Sequence, residues 1–113
     1  MSTRTAVFPE HPHALYREHG YSPAIRSGGF LFVSGMVGAR KDGSPEPDLQ
    51  AQVQLAFDNL HGVLEAGGCT FDDVVDLTFY MIDPDAGVGF ILEGMKKAFC
   101  EPAPNVTAVG VNW

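Results

Sequence analysis

Basic side chains, cysteine and long apolar runs are all scarce in this chain of 113 residues. Lys and Arg number 7 against 14 Asp and Glu, a formal net charge of −7. A phosphate-backbone binder carries clustered cations, and the few here are spread along the chain. Nucleic acid is therefore not an expected partner. The two cysteines, Cys69 and Cys100, sit in no CxxC or Cys/His spacing, so no metal and no cofactor is expected. No apolar run approaches the roughly 20 residues of a membrane helix. The opening MSTRTAVFPEH lacks the apolar core of a signal peptide. The expectation is a cytoplasmic protein with reduced thiols and no membrane contact.

Hydrophobic residues make up 45%, enough for a folded core, and the length suits a single domain over 1–113. The stretch YSPAIRSGGFLFVSGMVG, Tyr21 to Gly38, reads as two strands joined at Gly28-Gly29. Glycine reaches positive φ without steric cost, so the pair signals a hairpin. Phe30 to Val33 is unbroken apolar sequence, the pattern of a strand buried on both faces. Ser34-Gly35 follows directly. It places a hydroxyl and open backbone at the end of a rigid strand, where a ligand can meet the chain.

Around that hairpin the elements alternate. Thr3 to Phe8 reads as a first strand, and His11, His13 and His19 fall in a solvated connection whose spacing matches no metal motif. Asp48 is placed to cap a helix with Leu49, Val53, Ala56, Leu60, Val63 and Leu64 as its apolar stripe, ended by Gly67-Gly68. His61 lies at the edge of that stripe. Val74 to Met81 reads as a strand with Val75, Leu77, Phe79 and Met81 on its more apolar face. Asp83-Pro84 opens a second helix, with Val88, Ile91, Leu92, Met95, Ala98 and Phe99 as its stripe. Cys100 is expected in the core and Cys69 to be the more exposed thiol. Asn105 to Trp113 is the last strand, with Thr107, Val109, Val111 and Trp113 on one face. The order β-ββ-α-β-α-β implies a mixed sheet with both helices on one face. The other face then needs a cover, and oligomerisation supplies one.

Tyr21-Ser22-x-Ala24, then Gly28 or Gly29, then Phe32-Val33-Ser34-Gly35, resembles the N-terminal signature of the YjgF/Rid family of small trimeric proteins. The segments Gln52–Gly67, Asp72–Met81 and Pro102–Val111 agree with it in order and spacing. The opening TAVFPEHPHALYREHGYS and the ending TAVGVNW are similar to its YjgH-like branch. The resemblance implies a chorismate-mutase-like α+β fold, a homotrimer with sheets packed inward, and clefts between subunits. It also implies a further strand, carrying a glutamate of the family's site, after the position of Trp113. The domain is thus expected to lack the family's final strand.

In the family's deaminase branch an arginine at the start of the penultimate strand pairs with a substrate carboxylate, a bidentate match for a guanidinium. Asn105 stands there, Met36 stands for a glutamine after Ser-Gly, and Glu93 takes a helical asparagine position. The ligand-binding residues implied are Tyr21, Ser34, Gly35, Met36, Glu93, Asn105 and Thr107. Arg26, on a strand face expected to meet solvent, and Arg40, in a loop, are the nearby cations that could replace the arginine. The function expected is a small-molecule binder with an intersubunit cleft, its imine/enamine deaminase activity weakened by Asn105. The other readings are a deaminase acting on a substrate without a carboxylate, a regulatory or structural interaction module and, more distantly, an endoribonuclease.

Overall fold

The computed structural model describes residues 3–112. The elements are β1 (Thr5–Val7), α1 (Leu15–His19), β2 (Ala24–Ser27), β3 (Phe30–Val33), α2 (Leu49–Ala66), β4 (Asp76–Met81), α3 (Pro84–Ala98) and β5 (Asn105–Gly110), with a 3-10 turn at Phe71–Asp73. The fold is the expected α+β, with both long helices on one side of the strands. The strands hydrogen-bond in two sets, an antiparallel β1-β2-β3 and a parallel β4-β5. Trp113 lies outside the described residues, so its place on the last strand is not part of this description.

Local chemistry sets the boundaries. Gly28 and Gly29 have φ of 60° and 81°, giving the tight turn that pairs Ser27 with Phe30. The Asp48 carboxylate accepts from the Ala51 N–H and starts α2, and Asp83 does the same from Ala86 ahead of Pro84 in α3. Thr70 and Asp73 form a reciprocal capping box before β4.

The helices cover one face of each strand set. Leu31 meets Gly67 at the end of α2, and the Phe57 ring of α2 lies 6.2 Å from that of Phe79 on β4. Val63, Leu64, Phe57 and Ile91 form the buried layer between them. A Cβ on Gly94 would come 2.5 Å from Phe57 Cε2, so α3 crosses α2 where it has no side chain. The opposite faces point away from α2, and there Phe30 and Phe32 are 63% and 61% exposed and Tyr80 is 71% exposed.

Several expectations need correction. Within one chain β3 is covered on one face only, not both, because α2 reaches Leu31 while Phe30 and Phe32 alternate away from it. Residues 15–19 are helical. His13 is not in solvent but buried, its ring stacked 4.1 Å from that of Tyr16. Phe57, absent from the predicted α2 stripe, is buried, whereas Leu49 is exposed. On α3 the buried positions are Gly87, Ile91 and Gly94, while Val88 and Leu92 are exposed. Cys100 falls after α3 ends and is exposed; Cys69 is half-buried, its Sγ 3.6 Å from the Gly67 carbonyl. Arg26 is exposed as expected, but its guanidinium is also tied to the end of α2, donating to the Gly67 carbonyl. No helix among the described residues is long and apolar enough to cross a membrane.

Candidate functional site

The residues singled out from sequence fall, within one chain, in three places. Tyr21, Ser34, Gly35 and Met36 gather where β3 ends. The Ser34 N–H donates to the Pro23 carbonyl at 2.9 Å and its hydroxyl to the Ser22 carbonyl at 2.6 Å. The hydroxyl proton is thereby committed to backbone, and what Ser34 can offer a ligand is an acceptor lone pair.

Tyr16 organises this end of the molecule, although no motif pointed to it. Its ring meets Tyr21 edge-on at 5.0 Å, stacks on His13, and has Phe8 at 6.4 Å. Its hydroxyl donates to the Met36 thioether at 3.7 Å. Burial, with a smaller contribution from the neighbouring Tyr21, pushes the Tyr16 phenol up to about 12. One signal was available in the sequence. Arg17, His19 and Gly20 form a basic last turn followed by a left-handed glycine, with φ of 70° at Gly20.

The segment after Met36 is tied down by α2. Asn59 donates to the carbonyls of Val37 and Ala39 at 3.0 and 3.1 Å. Gln52 donates to the Glu46 carbonyl at 2.8 Å, and the Glu46 N–H to the Gly38 carbonyl at 3.0 Å. A Cβ at Gly38 would collide with Gln52, so the loop and helix approach closely only with glycine there. Arg40 is held in the same loop by Glu46, at 3.1 Å.

Asn105 and Thr107 lie on β5. The parallel ladder pairs Asp76 with Asn105, Thr78 with Thr107, and Tyr80 with Val109. Asn105 Nδ2 donates to Asp76 Oδ1 at 2.5 Å, which sets all three pairs on one face. Gly110, one step out of phase with them, faces Pro84 of α3. The face carrying Asn105 and Thr107 is therefore the one directed away from the helices, and each of its six residues is exposed.

Glu93 sits elsewhere. It is on α3, 3.3 Å from Lys97 Nζ, and lines a shallow groove between α2 and α3 with Asp48, Gln54 and Phe90. Among the described residues no group of three or more His, Cys, Asp or Glu side chains is placed to hold a metal ion.

Comparison with known proteins agrees with this architecture. The family described as Endoribonuclease L-PSP matches residues 11–113. RutC family protein YjgH of Escherichia coli strain K12 is 58% identical over 114 residues, covering 100% of this chain and 87% of that protein. A 2-iminobutanoate/2-iminopropanoate deaminase of Dermatophagoides farinae is 30% identical over 93 residues, 80% of this chain and 72% of that one. The solved structure of protein YJGH superposes with a TM-score of 0.95 at 57% identity, over 99% of this chain and 87% of that chain. The chain belongs to the endoribonuclease L-PSP family, also called YjgF/Rid, and is similar within it to the YjgH-like branch.

Proposed function

We propose that this protein binds a small molecule in a cleft between subunits of a homotrimer, and that it hydrolyses 2-aminoacrylate-type imines far more slowly than an arginine-bearing relative. The observation that carries the reading is Asn105 at the first position of β5, with its amide bound to Asp76. The resemblance assigns that position to a guanidinium that holds the substrate carboxylate. The two arginines that could replace it, Arg26 and Arg40, are engaged elsewhere in the chain. Arg26 is bound to the Gly67 carbonyl at the end of α2, and Arg40 is paired with Glu46.

Two features support the cleft. The residues assigned to the site fall in three places of one chain, as a site completed by neighbouring copies would have them. The face directed away from the helices exposes Phe30, Phe32 and Tyr80, apolar surface of the kind that marks subunit contacts. Imine hydrolysis adds water across C=N and releases ammonia and a carbonyl compound. A buried carboxylate deprived of its charged partner costs about 3–5 kcal/mol, or about two to four decades in rate or binding.

The test is ammonia release from enzymatically generated 2-aminoacrylate, measured for the wild type and Asn105→Arg beside an arginine-bearing relative. The wild type is expected at least about a hundredfold below the relative, with Asn105→Arg recovering part of the gap. Wild-type turnover equal to the relative's would refute the reading.

A further inference from the structure

We infer that the Asp76–Asn105 pair selects the ligand of this site by positive charge, taking a primary ammonium and rejecting a carboxylate. The inference rests on the cleft reading above and concerns what the cleft recognises.

The argument begins with the amide. A 2.5 Å contact to a carboxylate oxygen requires the nitrogen of Asn105, because its oxygen there would set two acceptors against each other. The amide is thereby oriented. What the pair still offers is Asp76 Oδ2 and Asn105 Oδ1, both acceptors, together with one amide N–H and a formal negative charge. An ammonium carries three donors and no acceptor, which complements this set. A carboxylate would bring a second negative charge against two acceptors.

The pair is held by rigid structure. Asp76 and Asn105 face each other at the start of a six-residue parallel ladder, and the Asn105 N–H donates to the Val75 carbonyl at 3.0 Å. The other aspartates that accept hydrogen bonds among the described residues serve different ends. Asp42, Asp48, Asp73 and Asp83 accept from backbone N–H groups of their own turns, and Asp58 from Gln54 on its own helix. Asp76 instead meets a side chain from another strand. It belongs to none of the four ion pairs found among the described residues. The next pair on the same face, Thr78 and Thr107, adds two hydroxyls about 7 Å along the strands. The ligand class is thus a small amine whose polar head meets Asp76.

The experiment uses probes that differ only in the head group. Benzylamine, benzyl alcohol and benzoate are titrated at pH 7 into the full chain, with backbone amide shifts read at Asp76, Asn105 and Thr107. Benzylamine is expected to bind tightest and benzoate weakest, at least about tenfold apart, the scale of a hydrogen bond to a charged group. Asp76→Asn keeps the shape and is expected to remove that preference. It barely alters general attraction to a chain of net charge −7. Equal binding of all three probes at these amides, or a preference that survives Asp76→Asn, would overturn charge selection and leave the cleft standing. An absence of shifts at these amides with every probe would overturn the cleft reading as well.

Discussion

Gly94→Ala and Gly89→Ala make the same chemical change on one helix, and the structure assigns them opposite effects. Both glycines lie within α3, where alanine is favoured by about 1 kcal/mol. A Cβ on Gly89 meets nothing within 4 Å, so that gain should appear in full. A Cβ on Gly94 would lie 2.5, 2.9 and 3.1 Å from Phe57 Cε2, Cδ2 and Cζ. Comfortable carbon–carbon contact is about 3.5–4.0 Å, so the ring or the helix must retreat by about 1 Å. Phe57 is only 8% exposed and packs on Phe79, which leaves the ring little room. Overpacking of this kind costs about 1–3 kcal/mol. Helix propensity is common to both variants, so the difference between them isolates that cost. Urea midpoints at one fixed protein concentration should place Gly89→Ala above the wild type and Gly94→Ala about 1–3 kcal/mol below Gly89→Ala. Equal stabilisation by the two would refute the packing of α3 on α2 described here.

Tyr16 predicts an alkaline weakness. Its folded-state pKa of about 12 lies above the ordinary 10.0, so the folded chain holds this proton more tightly than the unfolded one. Its contribution is complete below about pH 10 and is lost as pH rises through 12, by about 2–3 kcal/mol. Denaturant titrations at pH 9 and 12 should show the loss in the wild type and a smaller one in Tyr16→Phe; equal losses would contradict it. Assembly is tested by sedimentation equilibrium. A trimer is expected at micromolar concentration and dissociation in Phe32→Glu, whereas a wild-type monomer would sink the homotrimer.

The features legible in the sequence were those decided by neighbours in the chain. Asp48 and Asp83 cap, Pro84 opens α3, and Gly28-Gly29 turns, because each acts on backbone within a few residues. What was misread depends on the distance between elements. On α3 the contact with α2 is marked by the absence of a side chain at Gly94, and Gly87 is buried beside Met81, so a stripe read from apolar residues finds Ile91 but also takes in the exposed Val88 and Leu92. Phe57 is buried because it fills the space that Gly94 leaves, a contact between two helices that the periodicity of α2 alone does not show. The burial of Tyr16 and His13 is not legible locally, because Phe8 and Tyr21, from either side of α1 in the chain, each come against the Tyr16 ring, and His13 stacks on that same ring. Asn105 stands out in the sequence only through the resemblance, which places an arginine there. Its partner could not be seen, because the register of a parallel pair 29 residues apart is not written in local sequence.

That register has a consequence for assembly. Residues of β4 and β5 alternate between the helix layer and the outward face, so the outward row runs from Asp76 and Asn105 through two threonines to Tyr80 and Val109. On the trimer reading a neighbour covers part of this row. Covering Tyr80, 71% exposed in one chain, removes apolar surface from water and favours association. Covering Asp76 without a cation would strip water from a carboxylate, at a cost of several kcal/mol. The neighbour's packing is therefore confined to the apolar end unless a positive charge arrives with it. On the proposed trimer, then, this strand pair would give its apolar end to the subunit contact and its polar end to the cleft, and an ammonium ligand at Asp76 would be the group that lets the polar end close.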